Sequence, residues 1–270
     1  MDIEYWKEVP RDCPLCGANA AEMIVEWPFD TEKAGISRLV LGRCRSCEMI
    51  YAVNSDEVDM SGRNYIEWRP ESDGDMATPA KLEYNRHLYR RLSKYLEPKS
   101  RIFDFGAGYC IFLRIARDAG HEVAGLNPCR YVADWCRSNL GIEVTDSFGR
   151  DYSPKRPFDF AFSDQVIEHL ERPLEDLKVI LSFLKPGGLA YINVPNWRSH
   201  RRIRGGVDRL KDPGHFNYFT TGTLSEICRR AGFEVAETAL NVTNGHVARP
   251  LKGILNKIGF GDCSVLLRAP

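Results

Sequence analysis

The chain has no surplus of either charge. Its 37 lysines and arginines are matched by 37 aspartates and glutamates, so the molecule as a whole exerts no long-range pull on nucleic acid or on an anionic membrane. It has no apolar run of 18 residues, and so no candidate for a membrane-spanning helix. It opens on Met1-Asp2-Ile3-Glu4, acidic where a secretory leader would be basic and then apolar, and a cytoplasmic location is expected. Internal repeats and low-complexity tracts are lacking, which excludes solenoid and fibrous architectures. The cysteines number nine. An odd count cannot pair completely within one chain, which turns attention to thiolate–metal ligation and buried thiols. What remains is ordinary globular composition, 43% hydrophobic and 27% charged over 270 residues, enough for one large domain and a small module.

The small module is read at residues 1–55. Cys13-Pro14-Leu15-Cys16 and Cys44-Arg45-Ser46-Cys47 are two C-x-x-C knuckles with 27 residues between them. Two such knuckles present four thiolates tetrahedrally to one zinc ion, with backbone amides softening the negative charge. Four thiolates leave no position open for water, so the zinc is expected to be structural. A module this short has too little core to fold without it. Residues 21–27 and 37–41 between the knuckles read as two ribbon strands. Residues 56–79 follow as a polar linker or lid containing Gly62, Pro70, Gly74 and Pro79. Its Tyr65 and Trp68 either pack on the main domain or line a substrate mouth.

Residues 80–270 are read as the main domain, organised around residues 101–113. Ile102, Phe103 and Phe105 suggest a short buried strand, Gly106 and Gly108 a tight turn, and Ile111 onward a helix whose first amides face the turn. A strand, a glycine turn and a helix form a cradle for a nucleotide-like ligand. The third glycine of a G-x-G-x-x-G dinucleotide fingerprint is missing, because Ile111 stands there. Asp104, two residues before Gly106, gives instead a D-x-G-x-G pattern. Around this stretch the apolar periodicity alternates. Helices are expected at 80–96, 131–140, 174–184 and 223–231, and strands at 121–128, 142–145, 157–163, 189–194, 233–240 and 264–268. Lys185-Pro186-Gly187-Gly188 reads as a helix stop and turn. An amphipathic piece at 251–258 is expected to pack on the sheet.

The D-x-G-x-G stretch resembles the first motif of class I S-adenosylmethionine-dependent methyltransferases, with Cys110 where that family usually has a third glycine. Two later segments extend the resemblance over about 101–240: Asp164 to Leu170, ending in Glu-His-Leu, and Leu184 to Gly188 followed by a strand and Val194-Pro195-Asn196. The family implies a Rossmann-like α/β fold, a seven-stranded, mostly parallel sheet with an antiparallel last strand. It also implies S-adenosylmethionine as cofactor, held by Asp104, Gly106, Gly108, Asn127, Asp146, Asp164 and Gln165. At Asn127 the family has an acid that binds both ribose hydroxyls. The amide there points to weaker affinity, a modified cofactor or lost activity. Some members bind a divalent metal with a glutamate at the position of Gln165 together with the Glu-His pair and further histidines. That set is incomplete here, which argues against metal-assisted O-methylation.

The expected reaction is attack by a substrate oxygen, nitrogen or carbon on the sulfonium methyl, with His169 as first candidate base and His215 as second. Arg201 and Arg202, in an arginine-rich stretch after the fifth strand, are candidates for binding a phosphate or carboxylate. Together with the neutral whole they favour a small or sugar-linked, phosphate-bearing substrate over nucleic acid. Two rival readings stay open: an RNA methyltransferase, and a methyltransferase-like binding protein without catalysis.

Overall fold

A computed structural model describes residues 5–6, 9–29, 37–55, 78–199, 212, 214–241 and 261–270. The N-terminal part forms β1 (Tyr5–Trp6), β2 (Ala21–Pro28), β3 (Arg38–Cys44) and β4 (Ile50–Ala52). The rest runs α1 (Pro79–Leu92), β5 (Arg101–Phe105), α2 (Ile111–Asp118), β6 (Glu122–Leu126), α3 (Arg130–Leu140), β7 (Glu143–Thr145), β8 (Phe158–Asp164) and α4 (Pro173–Ser182). It closes with β9 (Leu184–Val194), β10 (Asn217–Tyr218), α5 (Thr221–Arg230), β11 (Glu234–Asn241) and β12 (Asp262–Arg268).

The large sheet has the order β11-β12-β9-β8-β5-β6-β7. Its strands from β9 to β7 pair in parallel, whereas β12 is antiparallel to both β9 and β11. β5 and β8 lie at the middle and are buried on both faces, which explains their near-continuous apolar runs. Helices cover both faces. Leu88 and Leu92 of α1, Phe112 and Leu113 of α2, and Val132 and Cys136 of α3 share one core. Leu177 and Ile180 of α4 and Leu224 and Ile227 of α5 share the other. That second core runs without a break into the N-terminal module through Leu15, Val40, Met49 and Tyr51.

Two expectations are corrected. The fourth helix of the main domain ends at Ser182 rather than Leu184, and Leu184 to Gly188 belong to β9 instead of forming a free turn. The reason lies in the neighbours. Lys185 Nζ reaches Asp159 Oδ1 at 2.5 Å, and Gly187 N donates to Ala269 O at 3.0 Å. The extra residues are taken up as a bulge between Phe158 and Phe160. The second is β10, at a place where no strand is expected from the sequence. It pairs antiparallel with β4, so the small sheet has the order β1-β2-β3-β4-β10 and its last strand comes from the far end of the chain. The amphipathic piece at 251–258 lies outside the described residues.

Candidate active site

The strand-to-helix turn after β5 is held from several sides. Gly106 has φ +90, and a Cβ there would come within 2.4 Å of Val166 Cγ2, so this position requires glycine on both counts. The amides of Gly106 and Ala107 both donate to Leu126 O, at 3.1 and 2.9 Å. Cys110, in the place of the third glycine, takes the left-handed conformation at φ 58 and is fully buried at the start of α2. The turn opens on a cleft of about 230 Å³ lined by Asp104, Gly106, Gly108, Tyr109, Phe162 and Asp164. The Phe162 ring stacks on Phe112 with centroids 3.7 Å apart, which fixes an apolar floor.

Two carboxyl groups stand in this cleft in different surroundings. Burial raises Asp104 well above the usual carboxylate range, and the nearby Asp164 charge adds to the effect. Burial pushes Asp164 up to about 6, against the pull of two donors. Asn193 Nδ2 and Tyr84 Oη both bond to Asp164 Oδ1, at 2.7 and 3.0 Å. The cleft thus sets two buried carboxyls together, of which Asp164 carries the two donors that favour its charged form, an arrangement suited to one cationic group. Sequence reasoning missed both donors. Asn193 did leave a signal, a polar residue inside the apolar strand Tyr191-Ile192-Asn193-Val194. Tyr84 gave none, since its role depends on where α1 crosses β8.

Asn127 directly follows β6, and its side-chain oxygen accepts from Cys129 N at 2.8 Å, closing a local turn ahead of α3. Asp146 follows β7 with Arg130 and Arg137 each 3.8 Å from one of its oxygens. Gln165 follows β8 in the left-handed region at φ 58, with its backbone N–H bonded to Asn193 O at 2.9 Å. Its side-chain Nε2 is buried without a hydrogen-bond partner. Arg201, Arg202 and Tyr65 lie outside the described residues.

Glu168, His169 and His215 converge at a second point. One ligand atom from each lies within 4.8 Å of the others. The two imidazole centroids are 4.6 Å apart. His169 Nδ1 is 2.8 Å from Gly214 O. A carbonyl only accepts, so Nδ1 carries the hydrogen and the neutral ring keeps its lone pair on Nε2. That atom lies 3.9 Å from Glu168 Oε1. Burial lowers His169 and raises Glu168 well above its ordinary value, and both shifts disfavour an ion pair between them. Neither carboxyl oxygen of Glu168 has a hydrogen-bond partner.

The four module cysteines also converge. Cys13 and Cys47 sulfurs are 3.5 Å apart, as are those of Cys16 and Cys44, and all four lie within 4.8 Å of one another. The knuckles share one backbone geometry. Gly17 N donates to Cys13 O and Glu48 N to Cys44 O, with Gly17 and Glu48 both at positive φ. Burial pushes the Cys13 thiol up and the Cys47 thiol to about 12. A divalent cation supplies the charge that holds such sulfurs as thiolates, and the cluster fits tetrahedral zinc.

A mostly parallel seven-stranded sheet with antiparallel last strands, and a glycine turn with paired acids at its central carboxyl edge, define a class I S-adenosylmethionine-dependent methyltransferase. The chain belongs to the family described as "Methyltransferase domain", whose profile matches residues 77–238. It is similar to a tRNA U34 carboxymethyltransferase of Desulfotalea psychrophila, 25% identical over 201 residues, covering 69% of this chain and 62% of that protein. The chain thus spans less than two thirds of that relative. Among solved structures it resembles a methyltransferase of Archaeoglobus fulgidus with a TM-score of 0.55, at 20% identity over 73% of this chain and 97% of the other. A methyltransferase of Mesorhizobium loti gives a TM-score of 0.53, at 20% identity over 67% and 96%. These two likenesses are of fold. Among the described residues no helix is long and apolar enough to cross a membrane.

Proposed function

We propose that this protein methylates a small or sugar-linked acceptor, with His169 as the base that removes the acceptor's proton. When bound, S-adenosylmethionine would supply an electrophilic methyl on a sulfonium sulfur, which departs as a neutral thioether once the methyl is transferred. What remains for the protein is alignment and proton removal. In this reading the Asp104–Asp164 pair receives the cationic end of the cofactor, and the apolar floor at Phe162 excludes water. The Gly214 carbonyl fixes the His169 tautomer, so Nε2 is ready to accept a proton. The observation that carries the reading is the 2.8 Å contact between His169 Nδ1 and Gly214 O. Asn127, with its oxygen engaged by Cys129 N, would meet the ribose as an uncharged group.

The test is a methyl-transfer screen with labelled cofactor across sugar nucleotides, small phenols and tRNA, the last because the Desulfotalea relative is named for tRNA. Transfer to tRNA alone overturns the small-acceptor reading. No calorimetric signal with S-adenosylmethionine at high concentration overturns the enzyme reading and leaves the binding-protein alternative. A second reading has its own observation, the unpartnered Glu168 carboxyl facing two imidazoles. Two histidines and a carboxylate are a donor set for a catalytic divalent cation with open positions. Activity that needs a second metal equivalent beyond the four-cysteine zinc favours that reading over simple base catalysis.

A further inference from the structure

The small module does not hang from the methyltransferase domain by a linker alone. Its sheet is completed by β10, and Ala52 N donates to Phe216 O at 2.8 Å. Phe216 follows His215 directly, and its own N–H donates to Glu168 O at 2.9 Å. The segment carrying His215 is therefore bonded to the module on one side and to the segment carrying Glu168 and His169 on the other. The Asn217 side chain strengthens the second contact, with Nδ2 within 2.6 Å of Leu170 O and 3.3 Å of Glu168 O.

One side chain joins all three parts. Arg11 sits two residues before the zinc ligand Cys13. Its Nη1 donates to Ala52 O and Phe216 O, each at 3.2 Å. Its Nη2 donates to Glu171 O at 2.5 Å and to Asn217 Oδ1 at 3.0 Å. The planar fork of a guanidinium suits this task, since its donors are fixed relative to one another. These bonds commit it to protein oxygens rather than to an anionic ligand. The second knuckle acts at equally short range: Cys44 N donates to Met49 O at 2.8 Å, and β4 begins at the next residue.

We infer that the zinc-bound module sets the geometry of the His169–His215 pair, and that Arg11 is the positioning residue through which it does so. The inference rests on the proposed catalytic role of the pair only for its effect on rate, not for the coupling itself. Zinc then has a consequence beyond folding of the module. It fixes both Arg11 and β4, and both grip the residues next to His215.

The test uses the full-length, zinc-loaded protein with ¹⁵N-labelled histidine, as wild type, Arg11→Ala and Arg11→Lys. At fixed pH, Arg11→Ala is expected to shift the imidazole resonances of His169 and His215 and to speed hydrogen exchange at the Phe216 amide. Arg11→Lys keeps the charge and part of the donor set and is expected to restore the resonances in part. The affinity for S-adenosylmethionine is expected to stay within about twofold, because the glycine turn shares no partner with Arg11. Should Arg11→Ala misfold, Asn217→Ala, which cuts the same junction from the other side, is read in the same way. Unchanged imidazole resonances in the folded variants overturn the inference. So does a loss of cofactor affinity parallel to a loss of overall stability, which makes Arg11 a general stability residue. If His169→Ala retains full methyl transfer, the base assignment fails while the resonance coupling still stands.

Discussion

If Asp164 receives the cationic end of the cofactor, as proposed, cofactor affinity becomes a function of pH, and the size of the effect follows from the site. Its carboxyl is pushed up to about 6 by burial, while burial and the Asp164 charge raise Asp104 beside it well above the usual carboxylate range. At pH 7 about nine tenths of Asp164 is ionised and at pH 5 about one tenth, so the affinity for a cationic cofactor should fall about tenfold, or about 1.4 kcal/mol, across that window. The sign for stability is opposite. Folding raises this carboxyl above its ordinary value of 3.8. Its contribution to stability is full below that value and is lost as pH rises through about 6. The cofactor-free protein should therefore lose stability over the same window in which binding tightens. Asp164→Asn is the paired perturbation, because an amide oxygen can still accept from Tyr84 and Asn193. It should bind more than about tenfold more weakly at pH 7 and show a flat profile. Isothermal titration calorimetry from pH 5 to 7 on both proteins reads the effect. A wild-type affinity constant over that range, or an Asp164→Asn variant with the wild-type slope, refutes the assignment of the cationic group to this carboxylate.

Three further outcomes are expected. His169→Ala should lower kcat by about 10²- to 10⁴-fold with cofactor affinity unchanged, measured with whichever acceptor the transfer screen identifies. Gly106→Ala should cost about 2 kcal/mol or more, because φ +90 and the 2.4 Å approach to Val166 act together; denaturant unfolding of that variant alone and with Val166→Ala separates the two, since only the clash is relieved by the second change. Cys44→Ser should remove the zinc found by elemental analysis and lower the melting temperature, while the same treatment of Cys228, buried between α5 and the sheet, should leave the zinc content at one per chain.

The parts of this molecule that could be read from sequence are those whose cause is local. The glycine turn, the knuckle spacing and the apolar strand at 102–105 each carry their reason within a few residues, and β5 and α2 lie within one residue of the expected bounds. The class of fold followed because those local units recur in a fixed order. What escaped depends on distant partners. The Lys-Pro-Gly-Gly stretch has the composition of a turn, yet becomes strand because Asp159 and Ala269 lie alongside it. The pairing of Asp164 with Tyr84 joins residues 80 positions apart, with nothing at either end to announce it.

β10 is the sharpest case, and it also explains why the two halves of the active site differ in how they are built. Two residues, Asn217 and Tyr218, have too little length to show a strand period, and their pairing partner lies in the N-terminal module. In the proposed site the cofactor side is assembled from β5, β6 and β8, consecutive in the central sheet and fixed by its register. The proposed acceptor side is assembled from the end of β8, the residues ahead of β10 and a sheet edge more than 160 residues away in sequence. On that proposal cofactor binding should survive local damage to the module better than the geometry of the histidine pair does. Loss of zinc should thus separate binding from catalysis, a dissociation that a module serving only as a folding aid would not produce.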